Sequence, residues 1–80
     1  MNPAEAQQVR NRLLQHDDQY RQFAEQHHQL DHRLHELTDK QHLSTSEQLE
    51  QVTLKKRKLA LKDRMEEMAR EYAVAHSRAS

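Results

Sequence analysis

The sequence lacks cysteine and glycine, holds one proline, Pro3, and has only 4% aromatic residues. Without cysteine there can be no disulfide framework, catalytic thiolate or cysteine-based zinc site. Without glycine, tight β-hairpin turns lose their usual residue for positive φ. The dominant residues are strong helix formers such as Leu, Gln, Glu, Lys and Arg. These features together predict an all-α protein.

Long apolar runs are also absent. No segment approaches the ~20 apolar residues of a bilayer-spanning helix, and the N-terminus lacks the apolar core of a signal peptide. We therefore expect a cytoplasmic protein. The chain has 34% apolar residues, which suffices for a helical seam but not for a thick core. One domain over residues 1–80 is expected.

The first half of the chain contains a coiled-coil stripe. Asn2 suits a helix N-cap and Pro3 the first helical position. Apolar residues or histidines then recur at alternating spacings of four and three, which is the heptad pattern of a seam. We predict one helix over about residues 3–38 with this stripe at Val9, Leu13, His16, Tyr20, Phe23, His27, Leu30, Leu34 and Leu37.

A second helix follows a short connection. The first stripe stops after Leu37, and Ser44 with Glu47 three residues later is typical of a capping box. We predict a loop at about 39–44, a helix at about 45–75 and a frayed tail at 76–80. The second helix has its own stripe, consisting of Gln51, Leu54, Lys58, Leu61, Met65, Met68, Tyr72 and Ala75.

The two stripes meet one to one when the chain folds back on itself. Leu34 would face Gln51, and Phe23 would face Leu61. The residue numbers of every facing pair sum to 84 or 85, so the register never slips. The pattern predicts an antiparallel two-helix coiled-coil hairpin.

The second helix also carries apolar residues away from this seam. Leu49, Val52 and Leu59 lie about half a turn from it at 100° per residue. Isolated surface leucines are common, but these three share one stripe, and a lone two-helix hairpin is marginally stable. We expect this protein-interaction stripe to bind another protein or a second copy, which would form a homodimeric four-helix assembly.

A basic patch overlaps the same helix and consists of Lys55, Lys56, Arg57, Lys62 and Arg64. It could bind the phosphates of nucleic acid or an anionic membrane. It could also be a solvated face that steers an acidic partner, because the formal net charge is zero and no aromatic residue interleaves the bases. The predicted function is protein–protein interaction or self-association, with nucleic-acid or membrane binding as the alternative.

Histidines are the remaining candidates for chemistry. His28, His32 and His35 share a face at spacings that could bind a metal, but no recognisable ligand motif accompanies them. We expect no metal, cofactor, small-molecule substrate or catalytic residue. His16 and His27 fall in the predicted seam, where His27 would face Lys58. We therefore expect protonation below about pH 6.5 to weaken the hairpin.

Two segments resemble a known family. Leu30-Asp31 with Leu34, and the block LKKRKLALKD over residues 54–63, are similar to the YdcH-like family of small bacterial proteins of unknown function. The resemblance covers about residues 13–70. It implies a helical hairpin in a bacterial cytoplasm and implies no activity. The many histidines of the first helix depart from the usual pattern of that family.

Overall fold

The computed structural model describes residues 2–77. This part of the chain contains three helices, α1 (Pro3–His16), α2 (Asp18–Thr38) and α3 (Thr45–Ser77), and no strand. The all-α class is therefore confirmed. The molecule is elongated, with extents of 54 × 22 × 17 Å. None of the three described helices combines the length and apolar character needed to cross a membrane.

Side-chain caps start the helices. The Asn2 Oδ1 accepts a hydrogen bond from the Glu5 N–H at 2.8 Å. At the start of α3, Ser44 Oγ accepts from the Glu47 N–H at 3.1 Å, and Glu47 Oε1 accepts from the Ser44 N–H at 3.0 Å. This reciprocal pair is the capping box that the sequence predicts, and it satisfies two backbone donors at once.

The predicted continuous helix over about 3–38 is wrong, because the chain breaks at Asp17. This residue is extended, with φ −119° and ψ 111°. Its N–H donates to the Leu13 carbonyl at 2.9 Å, which ends α1. Its Oδ1 accepts from the Tyr20 N–H at 2.9 Å, which caps α2. Aspartate is a weak helix former and a strong N-cap, so the local chemistry favours two helices over one.

The helices pack along their length, and α3 runs back along α2 in the opposite direction. Arg33 forms a bidentate pair with Glu50, with Nε and Nη2 at 3.0 and 2.9 Å from the two carboxylate oxygens. Further along α3, the Lys58 ammonium binds the Asp31 carboxylate. Near the connection, Lys40 binds Glu47. The shorter α1 packs against both α2 and α3.

Two apolar clusters form the core. The cluster near the 39–44 connection contains Leu34, Leu37 and Leu54, with Leu30 and Leu43 packed against it. The second lies where all three helices meet. It contains Leu13, Tyr20, Met68 and Ala69, with Val9, Phe23, Met65 and Tyr72 packed against it. Among the described residues no buried side chain is polar or charged.

Several predicted seam residues lie outside these clusters, and two of them are exposed. His16 is exposed because α1 ends there, and Ala75 is exposed near the end of α3. Ala69 is buried although it lies off the predicted stripe, since α1 supplies a further surface beside α3. Protonation of His16 therefore cannot weaken the hairpin in the way predicted for a seam residue.

The C-terminal helix is longer than predicted. It includes residues 76 and 77, which the sequence assigned to the frayed tail. In the last turn, the His76 ring stacks on Tyr72, with ring centroids 3.8 Å apart. The rest of the predicted tail, 78–80, lies outside the described residues.

Candidate interaction surfaces

The predicted protein-interaction stripe is exposed on α3. Leu49 is 65% exposed, Val52 52% and Leu59 59%. Leu54 on the same helix is 8% exposed because it faces α2. At 100° per residue, the stripe points away from that contact. The side of α3 that carries Leu49, Val52, Lys56, Leu59 and Asp63 is called here the outer face.

The predicted basic patch is divided between different sides of α3. Lys55 and Lys62 border a groove between α2 and α3. Arg57 borders a different groove, beside Leu30 and Leu61. Lys56 shares the outer face with Leu59. The bases therefore do not form a continuous phosphate-binding strip along one side of α3.

Carboxylates bind two of the neighbouring bases. Arg64 pairs with Glu67 at 3.1 Å on the surface of α3. Lys58, which the sequence predicts opposite His27, binds Asp31 one turn further along α2. In contrast, Lys55, Lys56, Arg57 and Lys62 make no ion pair with any residue in the 2–77 range.

The groove beside Lys55 and Lys62 has a volume of about 430 Å³. Leu59 lies at its border, so the apolar outer face and this groove are continuous. Asp31 and His35 supply polar groups from α2. The groove is lined by Asp31, Leu34, His35, Thr38, Lys55, Lys58, Leu59 and Lys62.

Two of the three clustered histidines contact a neighbouring acid. His32 Nδ1 lies 3.1 Å from Glu36 Oε1, and His35 Nε2 lies 3.6 Å from Asp39 Oδ2. Each acid is four residues after its histidine, which is the spacing of neighbours on a helix surface. Within residues 2–77 no group of three or more His, Asp or Glu side chains is placed to hold a metal ion.

Ion pairs that join α3 to α2 or to the connection lower the pKa of their carboxyls. The Lys40 ammonium and the Ser44 N–H lower the pKa of Glu47 to about 2. The hydrogen bond from Arg33 lowers the pKa of Glu50, and the hydrogen bond from Lys58 lowers that of Asp31. All three acids therefore favour the charged form in the folded chain.

Sequence reasoning missed a second groove, which forms only where the three helices meet. It is bordered by Arg10 from α1, His27 from α2, and Lys58, Lys62 and Arg70 from α3. The sequence signal that could have predicted this groove is Asp17, which is a suitable N-cap residue. A helix break at Asp17 lets α1 pack beside α3, and this brings Arg10 to the groove. Nothing in the heptad pattern brings Arg10 and Arg70 together.

Comparison with known proteins identifies a family without a known activity. The profile of the family described as "Protein of unknown function (DUF465)" matches residues 21–69, which is more than half of the chain. No curated protein and no solved structure matches the chain. The match spans most of α2, the connection and much of α3. The chain therefore belongs to the DUF465 family, which is the YdcH-like family that its sequence resembles.

Proposed function

We propose that this protein is a non-enzymatic helical hairpin that self-associates through the outer face of α3. The observation that supports this is the exposure of Leu49, Val52 and Leu59 on one side of a single helix. Removing such side chains from water contributes about 1.5–3 kcal/mol each when burial is complete. Two hairpins joined in this way would form a four-helix coiled-coil assembly.

The spacing on the outer face favours an antiparallel arrangement of the two copies. Positions 49, 52, 56 and 59 are separated by three, four and three residues, a series that reads the same in both directions. Two antiparallel copies therefore place Leu49 against Leu59 of the second copy and Val52 against Lys56. The Lys56 stem can cover Val52 while its ammonium stays in water.

A parallel arrangement is less favourable. It would bring Lys56 against Lys56 of the second copy and Asp63 against Asp63, and like charges at facing positions repel. Charge thus selects the antiparallel dimer without a dedicated ion pair. Few large side chains contribute, and association also costs translational and rotational freedom. We therefore propose a weak, concentration-dependent homodimer.

The absence of catalysis is part of the proposal. Ser44, the hydroxyl nearest to His42 in the sequence, forms the capping box with Glu47. Within residues 2–77, no polar side chain is buried where a substrate could be desolvated around it. The proposed compartment is the cytoplasm.

Sedimentation of the wild type and of a Leu49→Gln/Leu59→Gln variant tests this proposal. We expect a dimer whose Kd rises at least about tenfold in the variant, which corresponds to about 1.4 kcal/mol. Leu14→Gln is the matched control, since Leu14 is 39% exposed on α1 and away from the outer face. A wild type that stays monomeric at millimolar concentration would overturn the proposal, as would equal weakening by the control.

A second candidate function rests on four bases of α3 that form no ion pair with residues 2–77, namely Lys55, Lys56, Arg57 and Lys62. These could bind phosphates of nucleic acid or an anionic membrane. Salt separates the two functions, because each neutralised phosphate contributes about −0.9 to the slope of log K against log salt for duplex DNA. Apolar self-association has no such dependence. Duplex binding that falls steeply between about 50 and 200 mM salt, with a monomer throughout, would favour this second function.

A further inference from the structure

The groove where the three helices meet has an apolar floor and a cationic border. Its floor contains the Tyr20 ring, which is 2% exposed, together with Met65 and Ala69. Its volume is about 610 Å³, within the range of pockets that hold small organic molecules. The lining residues are Ala6, Arg10, Tyr20, His27, Lys58, Lys62, Met65, Glu66, Ala69 and Arg70.

The charges at this border are not balanced within the described chain. Arg10, Lys62 and Arg70 form no ion pair with a residue in the 2–77 range. Lys58 is already bound to Asp31. The only acid in the lining is Glu66, so three unpaired cations face one carboxylate. An anion in the groove would relieve their mutual repulsion.

The three cations come from two helices and line the same groove, Arg10 from α1 and Lys62 and Arg70 from α3. Arg10 from α1 and Tyr20 from α2 line the same groove. Burial raises the pKa of Tyr20, and the positive charge of Arg10 opposes that shift. Arg70 approaches from α3. The arrangement depends on the break at Asp17, since a continuous first helix would have no separate α1 to turn toward this side.

We propose that this groove binds a small organic anion that has an apolar body, such as a carboxylate, sulfonate or phosphate ester on a ring system. The apolar body would lie on Met65 and on the small exposed parts of Tyr20 and Ala69. The acidic group would accept hydrogen bonds from Arg10 and Arg70, whose planar donors suit two-oxygen anions.

Single-stranded nucleic acid fits this groove less well. Such binding uses aromatic faces on which bases stack, and the only aromatic ring in the lining besides His27 is that of Tyr20, which is almost wholly covered. The groove also shares no residue with Leu49, Val52 and Leu59. The proposal is therefore independent of self-association through the outer face.

Amide NMR with two probes tests the proposal. The anionic probe is 1-anilinonaphthalene-8-sulfonate, and its uncharged counterpart is N-phenyl-1-naphthylamine. We expect the sulfonate to shift the amides of Tyr20, Met65 and Ala69 and to bind at least about tenfold more tightly than the neutral probe. Inorganic phosphate alone should bind more weakly than the sulfonate, because it leaves the apolar floor uncovered.

Two double variants with the same change in charge provide the comparison. Arg10→Gln/Arg70→Gln should weaken sulfonate binding by about tenfold or more, whereas Lys56→Gln/Arg57→Gln should change it by less than about twofold. All four side chains are exposed, so circular dichroism should show unchanged helix content. Equal loss in both variants, shifts confined to Leu49, Val52 and Leu59, or equal binding of the neutral probe or of phosphate would overturn the proposal.

Discussion

At the scale of single residues, Leu37 illustrates how much of the core depends on a few side chains. It has no exposed surface and packs with Leu34 and Leu54 beside the connection. The sequence predicts it as the last position of the first stripe, because it continues the four-three spacing. Leu43 also packs on this cluster, although it belongs to no stripe and was placed in the loop by sequence reasoning.

The substitution Leu37→Ala is expected to lower the free energy of unfolding by about 2–5 kcal/mol, since it removes buried methyl groups and leaves a cavity. Thermal unfolding at fixed protein concentration measures this change. Leu14→Ala, at a site that is 39% exposed, should cost less than about 1 kcal/mol. Similar losses for the two variants would contradict the assignment of Leu37 to the core.

At the scale of elements, Asp17 decides how many helices the chain has. The heptad pattern continues through His16 toward Tyr20 and therefore predicts one helix. The structure instead ends α1 at His16 and starts α2 at Asp18. A periodic pattern records which residues share a face, but it does not register a local cap that interrupts the backbone. The Asp17 carboxylate supplies that cap through the Tyr20 N–H.

Replacing this cap gives a prediction for the element. Asp17→Ala should destabilise the protein by about 1 kcal/mol, within a range of about 0.5–2 kcal/mol for lost N-caps. For a domain of this size, that corresponds to a fall in Tm of about 4–8 °C. Hydrogen exchange of the Tyr20 amide should accelerate. Asp17→Asn keeps an N-cap oxygen and should retain most of the stability. If the Asp17→Ala variant were as stable as wild type, the capping role of Asp17 would be contradicted.

At the scale of the whole molecule, three ion pairs connect elements along its length. They join Lys58 to Asp31, Arg33 to Glu50 and Lys40 to Glu47. Each pair is solvent-accessible, so its contribution at neutral pH is modest. All three lower the pKa of the acid, however, and their effects on stability therefore appear over the same range of pH.

Acid should destabilise the folded chain through these carboxyls. Their folded-state pKa values lie below the ordinary ones, so the stabilisation is complete above the ordinary value of 4.5 for Glu47 and is lost as pH falls toward about 2. Tm measured from pH 7 to pH 2 should decrease mainly below pH 5. Glu47→Gln should lower Tm at pH 7 and should reduce the further decrease in Tm below pH 5.

The control for this titration is Glu71→Gln, because Glu71 is exposed and makes no hydrogen bond or ion pair with a residue in the 2–77 range. It should leave the pH profile of Tm close to that of wild type. A wild-type Tm that stays constant from pH 5 to pH 2 would contradict the role of the three acids in joining the elements.

The sequence by itself determined the helical class, the capping box at Ser44 and Glu47, and the separation of Leu54 from Leu49, Val52 and Leu59. These features depend on residues within one or two helical turns of each other, and the 3.6-residue period sets their relative directions. Sequence similarity over residues 21–69 likewise determined the family.

Only the tertiary structure decided where α1 lies, which acid binds Lys58, and that Arg10 and Arg70 border one groove. These relations join residues that are far apart in sequence, and they depend on which surfaces pack after the chain breaks at Asp17. Helical periodicity assigns a residue to a face of its own helix. The position of that face relative to another helix is set by the packing of Tyr20, Met68 and Ala69 in the core where the three helices meet.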